Sequence, residues 1–249
     1  MAGRTFAIGD IHGEYAALLR VLALLPRLDS QDTLVFLGDY VDRGPQSAEV
    51  IELIRHGLPE RTPARIVPLM GNHEEAWLRV LDGRSQHFVV KSSNGCTAFL
   101  RSYQGRPHTD ADPSAEDFDA MLTGAFLPAD VVTWMRSLRR WYEDEHAIHV
   151  HAGLTQDGDR WLHPSETADQ PRFLWERSMA FYRSYVGKPV VVGHTPTKYL
   201  AESGGEHAPA DAAEVQGSPY SHLIDTGAGQ GGFLTALELP AMRLYDSRP

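Results

Sequence analysis

An α/β fold built on parallel strands is predicted, and three observations predict it. In the first eighty or so residues, short β-branched and aromatic runs alternate with segments of helical periodicity in the order β-α-β-α-β-α. Such alternation calls for helical crossovers between parallel strands. Each strand-like run then ends in a glycine-flanked polar cluster, and strand-like runs return after residue 147. In open sheets of this kind, ligands gather beyond the carboxyl ends of the strands.

The elements follow in order along the chain. "TFAI" (5–8) is a buried strand by its composition and its glycine boundary. "EYAALLRVLALL" (14–25) has helical periodicity and stops at Pro26. "TLVFL" (33–37) is a second strand closed by Gly38, and "SAEVIELIRHG" (47–57) a helix with Gly57 in the stop position. "ARIVPLM" (64–70) is a third strand, and "EEAWLRVLDG" (74–83) a helix ending in glycine. Residues 84–145 are expected to be mostly helical, with a loop at 105–117. Strands are expected again at 147–154, 188–194, 221–227, 233–239 and 242–247. The stretch 201–220 is rich in Ala, Gly, Pro and acids without an apolar face, and reads as a mobile loop. No internal repeat interrupts this order, and residues 1–249 are expected to form a single domain.

Composition narrows the function classes. Of the 249 residues, 42% are hydrophobic and 22% charged, ordinary for a globular chain with a large core. A formal charge of −10 argues against broad nucleic-acid binding, which needs a basic footprint. A phosphorylated substrate then requires local positive charge, from a metal or a few arginines. The single cysteine, Cys96, rules out an internal disulfide framework and fits a reducing compartment; it is expected to be an inert small hydrophobe. With no signal-peptide profile and no apolar run long enough for a membrane span, a cytoplasmic protein without membrane association is expected.

The chemistry gathers at five strand ends: Gly9-Asp10-Ile11-His12-Gly13, Gly38-Asp39-Tyr40-Val41-Asp42-Arg43-Gly44, Gly71-Asn72-His73-Glu74, His151-Ala152-Gly153 and Gly193-His194-Thr195-Pro196. Taken singly, an Asp or Asn before a helix is most simply an N-cap, and the glycine beside it marks a turn. Taken together, they would bring the three aspartates Asp10, Asp39 and Asp42, one amide and four imidazoles to one edge of the sheet. Buried carboxylates at that density repel one another and are poorly solvated, so a cation must balance them. Mixed oxygen and nitrogen donors without thiolate suit Mn, Fe or Zn. The inventory is large enough for two ions, the usual device for an in-line displacement at phosphorus.

In this order "GDIHG", "GDYVDRG", "GNHE", "HAG" and "GHTP" resemble the signature series of the PPP-type, calcineurin-like metallophosphoesterases, among them bacterial and phage serine/threonine protein phosphatases and symmetric diadenosine tetraphosphatases. The resemblance runs from Gly9 to about Leu239, and "IDTGAGQGGFLTALEL" is similar to the closing strands of the bacterial and phage members. It implies two mixed β-sheets packed face to face with helices outside, a four-layer αββα arrangement. It also implies that Asp10, His12 and Asp39 hold one divalent metal, and Asp39, Asn72, His151 and His194 a second. Mn²⁺ is the expected ion at both, with Fe or Zn as alternatives, and a hydroxide shared between the ions as nucleophile. By the same resemblance His73 protonates the leaving oxygen, Asp42 orients that imidazole, and Arg43 grips phosphate oxygens. A second arginine is implied from the later half of the chain, and Arg177 in "FLWERS" is the candidate, with Arg172 as its substitute.

Other residues keep plainer readings. His149, two before His151, is read as packing or as support for the site, and Asp225 in "IDTG" as either support or a turn cap. Trp77, Trp134, Trp141 and Trp175 are read as core or flank anchors, Trp175 alternatively as a wall of the site mouth. His56, His87, His108, His163 and His207 have no partner pattern and read as surface residues, and Glu14 as a helix start. The expected activity is hydrolysis of a phosphomonoester, with phosphoserine or phosphothreonine proteins placed first. Symmetric dinucleoside tetraphosphates come second, and polyphosphate or small phosphate esters third. A catalytically silent binding module on the same fold is the rival from another class. It is disfavoured because Asp10, His12, Asp39, Asn72, His73, His151 and His194 are all present.

Overall fold

In the computed structural model, which describes residues 3–109, 111–167, 172–202 and 216–249, two five-stranded sheets lie face to face. The first half of the chain builds β1 (Thr5–Ile8), α1 (Tyr15–Leu24), β2 (Thr33–Phe36), α2 (Ser47–Glu52), α3 (Leu58–Arg61), β3 (Arg65–Pro68) and α4 (Asn72–Leu81). Then come α5 (His87–Val90), α6 (Cys96–Tyr103), α7 (Ala115–Thr123), α8 (Ala129–Ser137), β4 (Trp141–Glu143) and β5 (Ile148–Val150). A short hairpin, β6 (Gln156–Asp157) and β7 (Arg160–Trp161), leads to α9 (Arg172–Trp175) and α10 (Met179–Ser184). The chain closes through β8 (Val190–Val192), α11 (Thr197–Glu202), β9 (Gln216–Ser218), β10 (Ser221–Leu223), β11 (Thr235–Leu239) and β12 (Arg243–Asp246).

The first sheet has the order β12-β11-β1-β2-β3 and the second β4-β5-β8-β10-β9. Within each, three neighbouring strands run parallel, β1-β2-β3 and β5-β8-β10, and the remaining strands are antiparallel. The sheets are therefore mixed, as the resemblance implied.

Period-two alternation assigns each strand residue to a layer. Ala7, Val35, Val67, Leu237 and Leu239 of the first sheet meet Val191 of the second in one apolar cluster between the sheets. Their neighbours Phe6, Ile8, Leu34 and Phe36, with Val190, Val192 and Leu223, belong to the larger core under the helices. β1 and β2 are buried along their whole length, as strands covered on both faces are. β3 is an edge strand with Arg65 exposed, which is where Pro68 can be tolerated.

Four expectations need correction. The helix after β2 does not stop at Gly57: it runs through a π-helical turn, Leu53–Gly57, into α3. Gly57 keeps right-handed helical angles (φ −64°, ψ −39°), and buried Leu53, Ile54 and Leu58 hold the continuation against the core. A glycine inside a helix costs only about 1 kcal/mol, which such burial offsets. The loop expected at 105–117 ends sooner, because Ser114 and Asp117 form a capping box that starts α7 at Ala115: Asp117 N donates to Ser114 Oγ (3.1 Å), and Ser114 N to Asp117 Oδ2 (3.2 Å). The segment 84–145 is helical through α5 to α8 but closes with strand β4. Of the loop expected at 201–220, residues 216–218 form β9 on β10, and 203–215 lie outside the described residues. Among the described residues no helix is long and apolar enough to cross a membrane.

One side chain ties the two sheets together. In the turn between β4 and β5, Asp144 Oδ1 accepts from His146 N (2.8 Å) and Ala147 N (3.0 Å), while Oδ2 accepts from Thr5 Oγ1 on β1 (2.7 Å). Burial would raise this carboxyl, but the nearby His149 ring and the bonds from Ala147 and Thr5 outweigh it and hold the group below the usual carboxylate range. A carboxyl depressed in the folded state contributes stability at neutral pH and loses it as pH falls from the unfolded value of about 3.9. Asp144→Asn is expected to lower the unfolding free energy by about 1–2 kcal/mol at pH 7. Denaturant titrations at pH 7 and at pH 3 check this: the gap from the parent should shrink at the lower pH, and a constant gap would contradict it.

Candidate metal centre

Five strand ends of both sheets converge, and the backbone there is bent in a way few residues accept. Six non-glycine residues among those described have positive φ, and five of them are His12 (47°), Asp39 (53°), Asp42 (71°), Arg43 (64°) and His194 (67°). Left-handed angles at non-glycine positions cost of order 1–3 kcal/mol each and persist only where the surroundings enforce them.

The enforcement comes largely from Glu74 in the first turn of α4. Its fully buried carboxylate accepts from Asp39 N (2.9 Å) and Gly71 N (3.0 Å) through Oε2 and from Tyr40 N (2.8 Å) through Oε1. Burial and then the charge on Asp39 raise its pKa, while the three N–H bonds favour the ionised form. Gly71, which begins this helix, has no side chain to cap it, and Asp39 supplies one instead: His73 N donates to Asp39 Oδ1 at 3.0 Å. A carboxylate at a helix N-terminus is favoured by the exposed N–H groups and the helix dipole. The two strand ends can come this close because Gly38 sits against Gly71: a Cβ on Gly38, at φ 104°, would lie 2.4 Å from Gly71 N.

Around Asp39 the imidazoles are oriented from behind. His12 donates through Nδ1 to Val41 O (2.9 Å), and His151 through Nδ1 to Leu37 O (2.9 Å). Both rings thus turn an Nε2 lone pair inward, to 3.6 Å and 3.4 Å from the Asp39 oxygens. Burial first, and then neighbouring positive charge, lowers the pKa of His12 and of His194, and burial lowers that of His151. Burial would raise Asp39, but His151, His73 and His12 outweigh it and keep this carboxyl ionised.

Asn72 Oδ1 stands 2.9 Å from His151 Nε2 and 2.7 Å from His194 Nδ1. The His151 contact sets an amide oxygen against a ring lone pair, two acceptors without a proton between them. Neutral imidazoles, an ionised carboxylate and an amide oxygen converging in this way suit a divalent cation of the Mn, Fe or Zn kind. Two sets of donor atoms lie within 4.8 Å of one another: His12, Asp39 and His73, and Asp39, His151 and His194. Asp39 is common to both, the position at which a bridging ligand is expected.

The other residues expected at the site are placed as follows. Asp10 is buried, and both its oxygens accept from His194 N (3.1 and 3.0 Å), so it joins the centre from β1 without entering either set. His73 has Nδ1 on Asp42 Oδ2 at 2.5 Å and Nε2 at 3.8 Å from Asp39 Oδ2, an imidazole oriented by one carboxylate and facing the centre. Arg43 donates from Nη1 to His12 Nε2. Arg177 lies between α9 and α10, and its Nε donates to His194 Nε2 at 3.2 Å. Arg172, exposed at the start of α9, does not line the cleft at this centre.

Three contributors escaped the sequence reading. Glu74 was visible only as the last letter of "GNHE". Trp77, fully buried, donates from Nε1 to Asp42 Oδ1 (3.0 Å) as well as packing on Phe99 and Phe126; its signal was the four-residue helical spacing from His73. Phe88 sets its edge on His73 with ring centres 4.7 Å apart, and nothing in the sequence announced it. His149 is buried with neither ring nitrogen hydrogen-bonded, stacked on Tyr142, which fits packing. Cys96 is buried, as an inert hydrophobe should be.

Above the centre opens a cleft of about 470 Å³. Arg43, His73 and Arg177 border its floor, and Phe88, Trp175 and Lys91 line its wall. Trp175 is held in place: its Nε1 donates to Glu75 Oε2 (3.1 Å), Phe88 meets it edge-on at 5.7 Å, and the Arg79 guanidinium lies 5.8 Å from its ring centre.

With this geometry in hand, the likeness to known proteins is informative. The profile of the calcineurin-like phosphoesterase family matches residues 3–217. An asymmetrical bis(5'-nucleosyl)-tetraphosphatase of Geobacillus is 26% identical over 257 residues, which cover 94% of this chain and 89% of the relative. A Caenorhabditis elegans protein named as a serine/threonine-protein phosphatase is 49% identical over 67 residues, but these are 27% of this chain and 18% of the relative. A solved structure named as a diadenosine tetraphosphatase superposes with a TM-score of 0.57 at 22% identity, covering 99% of this chain and 93% of the other, a likeness of fold.

Replacing the residue common to both donor sets is the sharpest check. Asp39→Asn is expected to lower bound metal, read by elemental analysis, and to cut turnover by about a hundredfold or more. His73→Asn should cut turnover while metal content holds; lost metal would instead make His73 a ligand.

Proposed function

The chain belongs to the calcineurin-like phosphoesterase family and is a hydrolase, and on that premise we propose that it cleaves a phosphoanhydride of a dinucleoside polyphosphate. The observation that carries this choice is the pinned aromatic wall, Phe88 and Trp175, beside a floor of arginines. A phosphoserine peptide needs an open cleft and no such wall, whereas a nucleobase gains about 1–3 kcal/mol by stacking on an aromatic face. The relative matched over most of both chains carries a dinucleotide-hydrolase name, which supports the same substrate class.

Two divalent ions fit the donor set, with Mn²⁺ proposed. Asp10, His12 and Asp39 would hold one, and Asp39, Asn72, His151 and His194 the other. When bound, such ions neutralise phosphate charge and make water nucleophilic near neutral pH. The chain's own residues do the rest. Arg43 and Arg177, both on the cleft, supply planar guanidinium donors for the phosphate oxygens. His73, held by Asp42, gives a proton to the departing phosphate oxygen, and the Asp42 carboxylate stabilises the protonated ring. Trp77 steadies Asp42 from the core side, so the imidazole is aimed before substrate arrives.

A phosphoserine or phosphothreonine protein is the second reading, favoured by the short stretch of 49% identity to a protein named for that activity. Side-by-side turnover of diadenosine tetraphosphate and a phosphoserine peptide with Mn²⁺ separates the two. The dinucleotide is expected to be preferred by more than about tenfold in kcat/KM, the worth of one stacked base. Preference for the peptide would overturn the proposal. Product analysis reads the bond cleaved: two diphosphates mark symmetrical hydrolysis, and a triphosphate with a monophosphate asymmetrical hydrolysis. Trp175→Ala should raise KM for the dinucleotide by about tenfold while leaving p-nitrophenyl phosphate hydrolysis unchanged.

A further inference from the structure

Asp225 follows β10 directly, and β10 lies beside β8, the strand that presents His194. The two strand ends are knit together: Ile224 N donates to Val192 O (2.9 Å), and Thr197 N to Asp225 O (2.9 Å). From the opposite sheet β1 presses against the same place. A Cβ on Gly9 would lie 2.6 Å from Ile224 O, and a Cβ on Gly193 would lie 2.1 Å from Asp10 Oδ1. Asp10 and Asp225 are therefore neighbours across the seam where the sheets meet, both almost wholly buried.

A turn-capping aspartate accounts for half of this side chain. Oδ1 accepts from Gly227 N at 2.9 Å, but Oδ2 is buried and has no partner. A buried acceptor left without a partner is costly, the more so when it is charged. The nearby cations, Arg43 and Arg177, direct Nη1 at His12 and Nε at His194. Two buried carboxylates set side by side also repel.

We infer that Asp225 is a positioning residue of the metal centre, its unpartnered Oδ2 helping to retain the divalent cation held by Asp10, His12 and Asp39. This rests on the two-ion reading of the centre, but not on the choice of substrate. In its dual role one oxygen shapes the Gly227 turn and the other answers the charge of the ion. Asn at this position keeps the shape and the turn bond but removes the charge.

Mn²⁺ titration of the full chain, stripped of metal with chelator, tests it by calorimetry and by melting temperature. Asp225→Asn is expected to bind Mn²⁺ about tenfold or more weakly, the usual cost of losing a residue that supports metal ligands. Its metal-free form should melt at or above the metal-free parent, because one of two repelling carboxylates is gone, while its Mn²⁺-loaded form should melt below the loaded parent. A residue that only caps the turn would lower both forms alike. Asp225→Glu, which keeps the charge, should recover part of the affinity, and serves as the second variant if Asp225→Asn does not fold. Unchanged Mn²⁺ affinity in Asp225→Asn, or equal destabilisation of both forms, would overturn the inference. A parent chain that binds no Mn²⁺ would overturn the two-ion reading itself.

Discussion

A carboxylate that holds bent backbone in place is the constraint on which the rest of the centre depends. Glu74 gathers the N–H groups of Asp39, Tyr40 and Gly71 around one buried side chain. By doing so it fixes the end of β2 against the start of α4. That contact lets Asp39 cap the helix and brings Asn72 and His73 to the same point. The strained angles at His12, Asp39, Asp42, Arg43 and His194 are the local cost of turning five side chains inward at once. Two packed sheets with fully buried central strands supply the stability that offsets it.

Charge is the second organising element. The centre is crowded with acceptors: an ionised Asp39, neutral imidazoles with inward lone pairs, and the Asn72 oxygen. Water cannot reach most of these atoms, so a cation answers them better than any rearrangement of hydrogen bonds. The ordering partners sit behind the ligands, in Val41 O, Leu37 O and Glu74, and they come from the backbone or from the helix that follows. This division explains how the same centre combines an acceptor-rich interior with arginines at the mouth, where phosphate would arrive.

Much of this was legible in the residues, though unevenly. The strand ends that carry Asp10, His12, Asp39, Asn72, His151 and His194 could be placed because glycine boundaries mark them. Periodicity likewise gave the parallel run β1-β2-β3. Local rules failed where tertiary burial outweighed them, as at Gly57, where the core keeps the helix going. A local rule also cuts short the loop expected at 105–117, where the Ser114 and Asp117 capping box starts a helix. Arg177, the candidate in "FLWERS", reaches His194 from a connection between two short helices, a contact no local pattern records.

Sequence by itself determined the donor inventory, the order of its presentation and the alternation that makes a sheet the platform for it. Side-chain chemistry and short-range spacing are local properties, and they can be read without knowing the fold. Only the tertiary structure decided which atoms face one another. That Asp39 caps α4, that Trp77 holds Asp42, that Phe88 and Trp175 wall the cleft, and that Asp225 comes to rest beside Asp10 all depend on contacts between segments far apart in the chain. No pattern within one segment records such contacts, because they are set by the packing of two sheets against each other.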